Sequence, residues 1–482
     1  MRSRAAVLCL LPLAGVPPAG ADPSPRRLGR EIERIVERPE LAASFWGIEV
    51  RSLATGRSLY AMNAGRAFRP ASALKIITTA AALDVFGKDA RLRTTVETAA
   101  RLDGRGRILG DVYLVGAGDP NLSARFSPGR PTAAFEAMAD DVLAAGVRRI
   151  EGRMVGHDGA FAGDGRGHDW TWEDLVWGYG APVSALSWND NVVALRLASG
   201  ERVGDPARLD VEPPRPPLEV ISSVATAEAG TDEDVRLEKE GADRVRLSGK
   251  LPLGGEWEGD VAVSDPARYA AAAFGGVLES KGIRVSGGVV SSRAALPADR
   301  RVLAAHESET MEEIVRVVNK ESQNLHAEIL LRLVGLRVLG EGSVEKGQQA
   351  VAAFLERIGV SADGWGVVDG SGLARTDVVT PHGLVSLLVA MERHPQAAAF
   401  RNSLPIAGKD GTLEKRMRGT AAEGRVIAKT GTLNLANALA GYATTAGGDR
   451  LAFAVIVNNH AGRAKEAVAA IDAVAEALAK AR

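Results

Sequence analysis

Near its N-terminal end the chain reads Pro70-Ala71-Ser72-Ala73-Leu74-Lys75-Ile76-Ile77, and apolar residues predominate from there to Phe86. Proline is favoured in the first turn of a helix, so we expect a helix over roughly Ala71 to Phe86. Residues three positions apart share a helix face, which brings the hydroxyl of Ser72 and the amine of Lys75 within proton-transfer reach. Backbone N–H groups at a helix start also favour negative charge that develops at Ser72. The segment therefore makes Ser72 a candidate nucleophile and Lys75 its candidate base.

A lysine acts as a base only where burial or nearby positive charge lowers its pKa. Lys75 is flanked by Leu74 and Ile76, and this apolar context favours burial. The spacing alone is weak evidence, because Ser-x-x-Lys is expected about twice by chance in a chain of this length. For an isolated motif, a capping serine beside an exposed lysine is the alternative.

Strand patterns at the two ends of the chain predict a shared sheet. The strand candidates are Phe45 to Ser52, Arg57 to Met62, Arg425 to Thr432, Ala438 to Thr444 and Leu451 to Asn458, and the helix candidates at the two ends are Arg27 to Arg38 and Ala464 to Ala481. We therefore expect an α/β (α+β) domain with one antiparallel five-stranded sheet that is assembled from both ends of the chain and covered by helices.

A second motif, Ser322-Gln323-Asn324, lies between two helix candidates and precedes the amphipathic run Leu325 to Val334. In a turn between helices, the hydroxyl of Ser322 and the amide of Asn324 could face a cleft. There they could hydrogen-bond a lysine and a substrate amide. The tripeptide alone is a weak signal, since Ser187-Trp188-Asn189 has the same pattern.

A third motif, Lys429-Thr430-Gly431-Thr432, ends a β-branched strand candidate. An exposed edge strand can pair with an extended peptide, and a glycine on it permits close approach of another backbone. Lys429, Thr430 and Thr432 have the groups needed to hold a carboxylate. The near-copy Lys409-Asp410-Gly411-Thr412 precedes a helix-like stretch, so we interpret it as a loop.

The middle of the chain has a different sequence pattern from its two ends. Short strand candidates alternate there with turns, and a proline cluster and an acidic run mark a β-rich stretch. We therefore predict a signal peptide at 1–21, a first part of the main domain at 22–88, an inserted domain at 89–201 and 261–301, a nested β-rich domain at 202–260, and the second part of the main domain at 302–482.

Composition excludes several classes of protein. The 59 basic and 60 acidic residues give a formal charge of −1, which argues against a dedicated nucleic-acid-binding protein. The seven histidines show no metal-ligand spacing, so we predict neither a metal site nor a cofactor. No segment after the N-terminus approaches the ~20 apolar residues of a transmembrane helix.

The first residues have the pattern of an export signal. Arg2 and Arg4 precede the apolar run Ala5 to Val16, and Ala19-Gly20-Ala21 offers a cleavage site between small residues. The single cysteine, Cys9, falls inside this segment, so the mature protein would contain neither a disulfide nor a thiol nucleophile. We expect an exported protein, located in the periplasm or outside the cell and at most loosely associated with the envelope.

Taken in this order, the three motifs resemble those of the serine penicillin-recognising enzymes. The long interval between Ser72 and Ser322 resembles the class C low-molecular-mass penicillin-binding proteins, the D-alanyl-D-alanine carboxypeptidase/endopeptidase family. Other segments are similar to that family: Gly116 to Leu122, Ala181 to Leu186 with Asn189 and Asn191, Asp369 to Arg375, and Leu404 to Gly408. Two positions depart from its pattern, Ala374 where serine is usual and Asp377 where asparagine is common.

The resemblance implies a peptidase domain with a second domain inserted in it and a third nested in the second. It implies that Ser72 forms an acyl-enzyme with a D-alanyl-D-alanine peptide and that Lys75 takes the serine proton. By the same resemblance, Ser322 passes a proton to the leaving amine and Asn324 orients Lys75 and the substrate amide. The Lys429–Thr432 motif, with Gly431, would bind the terminal carboxylate.

Two further residues are candidates for recognising the substrate's side chain. The resemblance places Asp158 beside the active site, where it would meet the free amine of the peptide's diamino acid; a turn residue that ends a strand is the alternative. Arg375 is suited to bidentate contact with a substrate carboxylate. The implied partners are peptidoglycan peptides and, as covalent inhibitors, β-lactam antibiotics.

Two rival functions remain open at this stage. One keeps the active site but makes the protein a β-lactamase or an esterase, and the other is a catalytically silent cell-wall-binding protein. The sequence also leaves open the balance between carboxypeptidase and endopeptidase action, the diamino acid of the substrate, and whether the protein is a monomer or a homo-oligomer.

Overall fold

Strands from both ends of the chain form one sheet in the computed structural model, which describes residues 24–214 and 216–482. The predicted export signal and Cys9 lie outside these residues. The sheet consists of β1 (Phe45–Ser52), β2 (Ser58–Met62), β18 (Val426–Leu433), β19 (Ala436–Thr444) and β20 (Arg450–Asn458). Its order is β18-β19-β20-β1-β2 and every neighbouring pair is antiparallel, which confirms the predicted sheet.

Helices cover both faces of this sheet. They are α1 (Pro25–Val36), α2 (Lys75–Phe86), α5 (Met311–Lys320), α6 (Asn324–Leu339), α7 (Val344–Arg357), α8 (Pro381–Glu392), α9 (Ala397–Ser403) and α10 (Ala464–Lys480). Side chains alternate across a strand: Val455 packs in the layer with α1 and α10, and Ile456 packs in the layer with α2 and α8. The central strands are therefore buried on both faces.

The segment between α2 and α5 forms further sheets and packs around a core of its own. It contains helices α3 (Ala133–Ala144) and α4 (Pro266–Ser280). Its strands are β3 (Arg93–Thr98), β4 (Arg107–Ile108), β5 (Val112–Val115), β6 (Arg149–Ile150), β7 (Met154–His157), β8 (Val192–Ala198), β9 (Arg208–Glu212), β10 (Glu219–Ser222), β11 (Ala225–Ala227), β12 (Asp234–Lys239), β13 (Arg244–Pro252), β14 (Glu256–Ala262), β15 (Arg284–Val285), β16 (Val289–Ser292) and β17 (Arg301–Glu307).

Strand pairing crosses two of the predicted boundaries. β8 pairs with both β9 and β14, so one sheet joins residues on either side of the boundary at 201/202. β17 pairs with β3 and thus extends a five-stranded sheet of order β16-β7-β5-β3-β17 past residue 301. The assignment of these strands to an inserted and a nested domain stays a prediction.

Among residues 24–214 and 216–482, none of the helices combines the length and the apolarity that a bilayer crossing requires.

Candidate active site

Lys75 lies at the centre of a hydrogen-bonded cluster that joins distant parts of the chain. Its side chain is fully buried. Its Nζ donates to Ser72 Oγ at 2.8 Å, to Asn324 Oδ1 at 2.6 Å and to the carbonyl oxygen of Ser371 at 2.7 Å. The first two motifs predicted from the sequence therefore meet at one amine.

The chain turns tightly where Ser72 is placed. Residues Ala71–Leu74 form a 3₁₀ turn that leads into α2, so Ser72 stands one turn before the α-helix rather than inside it as predicted. Ala71 has a φ of 49°, an uncommon value for a residue with a Cβ. A Cβ on Gly372 would lie 2.0 Å from the Ala71 carbonyl oxygen, so only glycine fits opposite this turn. The serine is held in place by close backbone packing.

The electrostatic surroundings of Lys75 lower its pKa to about 7. Burial is the largest cause, because an ammonium loses its hydration there. The nearby carboxylates of Asp369 and Glu328 act in the opposite direction. An amine with this pKa is neutral in a large fraction of molecules near neutral pH, and a neutral amine can accept the proton of Ser72.

Ser322 and Lys429 form the second hydrogen bond between motifs. Lys429 Nζ donates to Ser322 Oγ at 2.9 Å and is itself fully buried. Burial, together with the charge of Lys75, lowers the pKa of Lys429 well below its ordinary value. Ser322 has a φ of 62° in the turn between α5 and α6. This turn presents Ser322 to one lysine and Asn324 to the other.

Strand β18 passes directly against the turn that carries Ser72. A Cβ on Gly431 would lie 2.2 Å from the carbonyl oxygen of Pro70, which explains the glycine in this motif. The Ala428 N–H points away from β19, since it donates to Pro405 O at 2.9 Å. N–H groups alternate in direction along a strand, so Thr432 directs its own toward the same open edge. This edge can receive an oxyanion or an extended peptide.

Two contacts of β18 were not predicted from the sequence. Thr430 Oγ1 donates to Thr412 Oγ1 at 2.8 Å, and Asn437 Nδ2 donates to Thr432 Oγ1 at 3.2 Å. Thr412 belongs to the near-copy of the third motif, Lys409-Asp410-Gly411-Thr412, for which the sequence predicts a loop. The similarity of this segment to Lys429-Thr430-Gly431-Thr432 is the one sequence feature that could have indicated a role for Thr412 near the site.

A layer of buried acids lies beneath Lys75, and its members were not predicted as site residues. Glu328 accepts hydrogen bonds from the N–H groups of Gly370 and Ser371 at 2.8 and 2.9 Å, and it pairs with Arg332 at 3.1 Å. Asp369 accepts from five donors, two of them the N–H groups of Ser371 and Gly372. These bonds fix the loop whose Ser371 carbonyl contacts Lys75.

Asp377 is the third acid of this layer. Burial, together with the charge of Asp369, raises its pKa to about 10. Its Oδ1 accepts from the Val368 N–H at 2.6 Å. A neutral carboxyl group has the same shape and a similar donor and acceptor pattern to an amide. A protonated Asp377 can therefore take the place of the asparagine that the sequence resemblance leads us to expect at this position.

The segment 174–179 connects the cluster to Arg375. Asn324 Nδ2 donates to the carbonyl oxygen of Tyr179 at 2.9 Å, and the Tyr179 hydroxyl donates to Asp174 at 3.3 Å. Asp174 also pairs with Arg375 at 2.7 Å. Arg375 is thus joined to the cluster through Asp174 and Tyr179, and neither of these two residues was predicted.

Asp158 is not brought together with the other predicted site residues. Its carboxylate pairs with Arg293 at 2.8 Å and accepts from Ser184 Oγ at 3.0 Å. It lines a cavity of about 500 Å³ in the insertion, and the residues that line this cavity include none of the catalytic candidates. Within the described residues, no group of three or more histidine, cysteine or acidic side chains could hold a metal ion.

Comparisons with known proteins give one family. The model of the D-Ala-D-Ala carboxypeptidase 3 (S13) family matches residues 28–480. A D-alanyl-D-alanine carboxypeptidase from an Actinomadura species is 36% identical over 507 residues, which cover 99% of this chain and 90% of the relative. The D-alanyl-D-alanine carboxypeptidase DacB of Haemophilus influenzae is 26% identical over 81% of this chain and 80% of its own length.

Among solved structures, penicillin-binding protein 4 of H. influenzae matches with a TM-score of 0.81. It is 24% identical, and the match covers 92% of this chain and 97% of that one. A second structure of that protein, in complex with a novel β-lactam, matches with a TM-score of 0.75 at 22% identity over 92% of this chain and 98% of that one. These likenesses establish that the fold is shared.

The state of Asp377 yields a prediction about stability. Its folded-state pKa of about 10 lies far above the ordinary value of 3.8, so the folded protein binds a proton that the unfolded chain releases. This group therefore stabilises the fold at low pH and loses that contribution as the pH rises toward 10, by up to about 1.4 kcal/mol per pH unit. Asp377→Asn should be more stable than the wild type at about pH 8, and the advantage should shrink toward pH 5.

Thermal unfolding midpoints across this pH range provide the measurement. Asp111→Asn is the matched control of opposite sign, because the hydrogen bond from Arg153 lowers the pKa of Asp111. That variant should be less stable than the wild type by an amount that stays constant from pH 5 to pH 8, because the ordinary pKa of 3.8 and the lower folded-state pKa of Asp111 both lie below this range. A difference between Asp377→Asn and the wild type that does not depend on pH would show that Asp377 is ionised in the folded protein.

Proposed function

This chain belongs to the D-Ala-D-Ala carboxypeptidase 3 (S13) family, and we propose that Ser72 is the nucleophile through which it acts. The chain is a serine-type D-alanyl-D-alanine carboxypeptidase and a penicillin-binding protein. The observation that supports the proposal is the 2.8 Å hydrogen bond between Ser72 Oγ and Lys75 Nζ, within a cluster that also contains Ser322, Asn324 and Lys429.

In the acylation step, Ser72 Oγ attacks the carbonyl carbon of the penultimate D-alanine while its proton passes to neutral Lys75. The oxygen of that carbonyl gains negative charge and is received by the N–H groups of Ser72 and Thr432, each contributing roughly 3 kcal/mol. Support for this arrangement comes from the open edge of β18 and from the close approach of Gly431 to Pro70.

The terminal D-alanine must leave as an amine, so a proton has to reach its nitrogen. Ser322 is suited to relay it: its hydroxyl gives its proton to the nitrogen and takes up the proton that Lys75 received from Ser72, so that Lys75 is neutral again once the amine has left. The hydrogen bond from Lys429 orients this hydroxyl. Asn324 holds Lys75 through its carbonyl oxygen and orients the substrate amide. Lys429, Thr430 and Thr432 bind the terminal carboxylate. Water then attacks the acyl carbon, its proton passes to Lys75 and from there to Ser72 Oγ, and the bond between that oxygen and the acyl carbon breaks to release the shortened peptide.

The recognition of the substrate's side chain is assigned to Asp174 and Arg375. The two side chains form an acid–base pair at 2.7 Å, and Tyr179 links them to Asn324. Such a pair can meet the amine and the carboxylate of a diamino acid, which favours a charged side chain over a neutral one. Asp158, the residue that the sequence predicts for the amine, is likewise ion-paired, with Arg293. It differs from Asp174 in that none of the hydrogen bonds that the structure describes links it to Asn324, and it is the competing assignment.

Export is part of the proposal because the substrate is cell-wall peptide. The pattern at 1–21, with its basic start, apolar run and small residues before position 22, supports it. The protein would then act in the periplasm or outside the cell, at most loosely associated with the envelope.

The proposed nucleophile is tested with benzylpenicillin and with defined muropeptides. The wild type should gain one covalent adduct, mapped to Ser72, and should release D-alanine from a pentapeptide. Ser72→Ala should do neither, because its side chain has no oxygen to acylate. Intact-mass analysis and peptide mapping measure the adduct, and mass analysis of the products measures D-alanine. An adduct that persists in Ser72→Ala would remove Ser72 from this role, whereas acylation of the wild type without D-alanine release would indicate a silent binding protein.

The role of Lys75 as a base predicts a pH dependence. The acylation rate constant should rise with pH through an apparent pKa near 7, because the neutral amine accepts the proton. Lys75→Arg keeps a cation that does not readily lose a proton, so its acylation should fall by about a hundredfold or more. Stopped-flow fluorescence with a reporter penicillin measures both. Wild-type rates in Lys75→Arg, with a correctly folded protein by circular dichroism, would contradict the assignment.

Two substitutions test whether Asp174 or Asp158 recognises the side-chain amine of the substrate. Asp174→Asn should lower the cleavage of peptides with a free side-chain amine by about tenfold or more, while penicillin acylation, which lacks that contact, continues. Asp158→Asn should leave both activities unchanged. Initial rates on peptides with and without the amine provide the measurement. If Asp158→Asn alone shows the selective loss, the earlier assignment is correct, and if Asp174→Asn loses both activities together, Asp174 has a structural role.

A further inference from the structure

The turn that carries Ser322 and Asn324 is attached to the insertion by an ionic network. Arg125 and Asp190 of the insertion contact the residues on either side of the turn, Glu321 and His326. None of these four side chains contacts Ser72 or Lys75 among the bonds that the structure describes. The network therefore acts on the catalytic cluster only through the turn.

Asp190 is the centre of this network. Arg125 makes a bidentate pair with its carboxylate, with N–O distances of 3.2 and 2.8 Å, and Arg125 Nε bonds Glu321 at 3.0 Å. His326 Nε2 lies 2.9 Å from Asp190 Oδ1. Glu321 ends α5, and His326 is the third residue of α6. The Asp190 carboxylate thus contacts the start of α6 directly, through His326, and is linked to Glu321 after α5 through Arg125.

The charges in the network are consistent with an ionised Asp190. Burial disfavours the charge, but the hydrogen bond from His326 and the charge of Arg125 hold the pKa of Asp190 well below its ordinary value. Burial also lowers the pKa of His326, so this side chain is neutral at neutral pH and donates through Nε2. Its Nδ1 then carries no proton and has no partner within the described residues.

The backbone around Asp190 is strained, which indicates that its side chain is held in place. Asn189, Asp190 and Asn191 have successive φ values of 50°, 52° and 59°, and positive φ is uncommon for residues with a Cβ. Two hydrogen bonds anchor this turn: the Asn189 N–H donates to Leu122 O at 2.8 Å, and the Val263 N–H donates to Asn191 O at 3.0 Å. Strain of this kind persists only where the surrounding structure fixes it.

On its other side the catalytic turn is tied to the peptidase domain. Lys320 pairs with Asp410 at 2.7 Å, two residues before Thr412, which contacts Thr430. The turn is therefore clamped between the loop that supports β18 and the insertion. Without the insertion's side of this clamp, Ser322 would keep its strained φ of 62° with fewer restraints.

We propose that Asp190 is a positioning residue for the reaction, through which the insertion holds Ser322 and Asn324 against the two catalytic lysines. The proposal rests on the proposed function, since it assigns a role to the turn that this function uses. It also gives the insertion a part in catalysis besides substrate recognition. Displacements of about 1 Å in an active site can lower a rate by as much as a hundredfold.

The test compares Asp190→Asn, Asp190→Ala and Arg125→Lys in the full chain. Active-site titration with a fluorescent penicillin first counts the competent molecules, and the acylation rate constant at saturating penicillin is then expressed per competent molecule. Both Asp190 variants should acylate about ten- to a hundredfold more slowly, with the dissociation constant for penicillin changed by less than about threefold. Arg125→Lys keeps the charge but loses the bidentate geometry, so it should lie between these variants and the wild type.

A purely structural role would lower the thermal midpoint and the number of competent molecules and leave the rate per molecule unchanged. That result in Asp190→Asn overturns the proposal. If Asp190→Ala does not fold, the same result in Arg125→Lys also overturns it. Asp111→Asn is the matched control, because Asp111 forms a similar pair with Arg153 in the insertion, at 2.7 Å, without touching the turn. It should acylate at the wild-type rate. Failure of Ser72 to be acylated in the wild type would instead overturn the proposed function.

Discussion

The active site depends on one buried amine. In its protonated form Lys75 donates to Ser72, to Asn324 and to the Ser371 carbonyl, so all three of its N–H groups have partners. A buried ammonium without partners would cost several kcal/mol. Each hydrogen-bond partner must therefore be positioned accurately next to Lys75. The surrounding fold provides this positioning. The same burial that demands these bonds also lowers the pKa of the amine to about 7.

Three parts of the structure meet at the Lys75 amine: the five-stranded sheet, the turn between α5 and α6, and the insertion. The sheet built from both chain ends brings β18 against the Ser72 turn, and Gly431 lets the two backbones meet. Helices α5 and α6 supply the turn with Ser322 and Asn324. The insertion contributes the segment with Tyr179, whose carbonyl oxygen accepts from Asn324 Nδ2 while Lys75 donates to Asn324 Oδ1. The motifs thus lie far apart in sequence because each belongs to a different structural element.

Local patterns made much of this predictable. The bounds of β1 matched the strand expected from its sequence, and the motif residues Ser72, Lys75, Ser322 and Lys429 meet as expected. Contacts without a local pattern were missed. Ser371 lies 296 positions from Lys75 and contributes only a carbonyl oxygen, which every residue has. Asp158 was predicted from the family resemblance, and no local pattern marked Asp174. Only the tertiary structure shows that Asp174 is linked to Asn324 through Tyr179, whereas Asp158 pairs with Arg293.

The acids beneath Lys75 show how its pKa can stay near neutrality in a charged neighbourhood. Three ionised carboxylates with no compensation would hold the lysine protonated and remove the base. Instead, Asp369 is surrounded by five donors, and Glu328 is paired with Arg332. Asp377 is neutral because burial and its charged neighbour raise its pKa to about 10. Each acid can therefore fix the Ser371 loop through hydrogen bonds while its field at Lys75 is reduced, which reconciles a rigid site with a reactive amine.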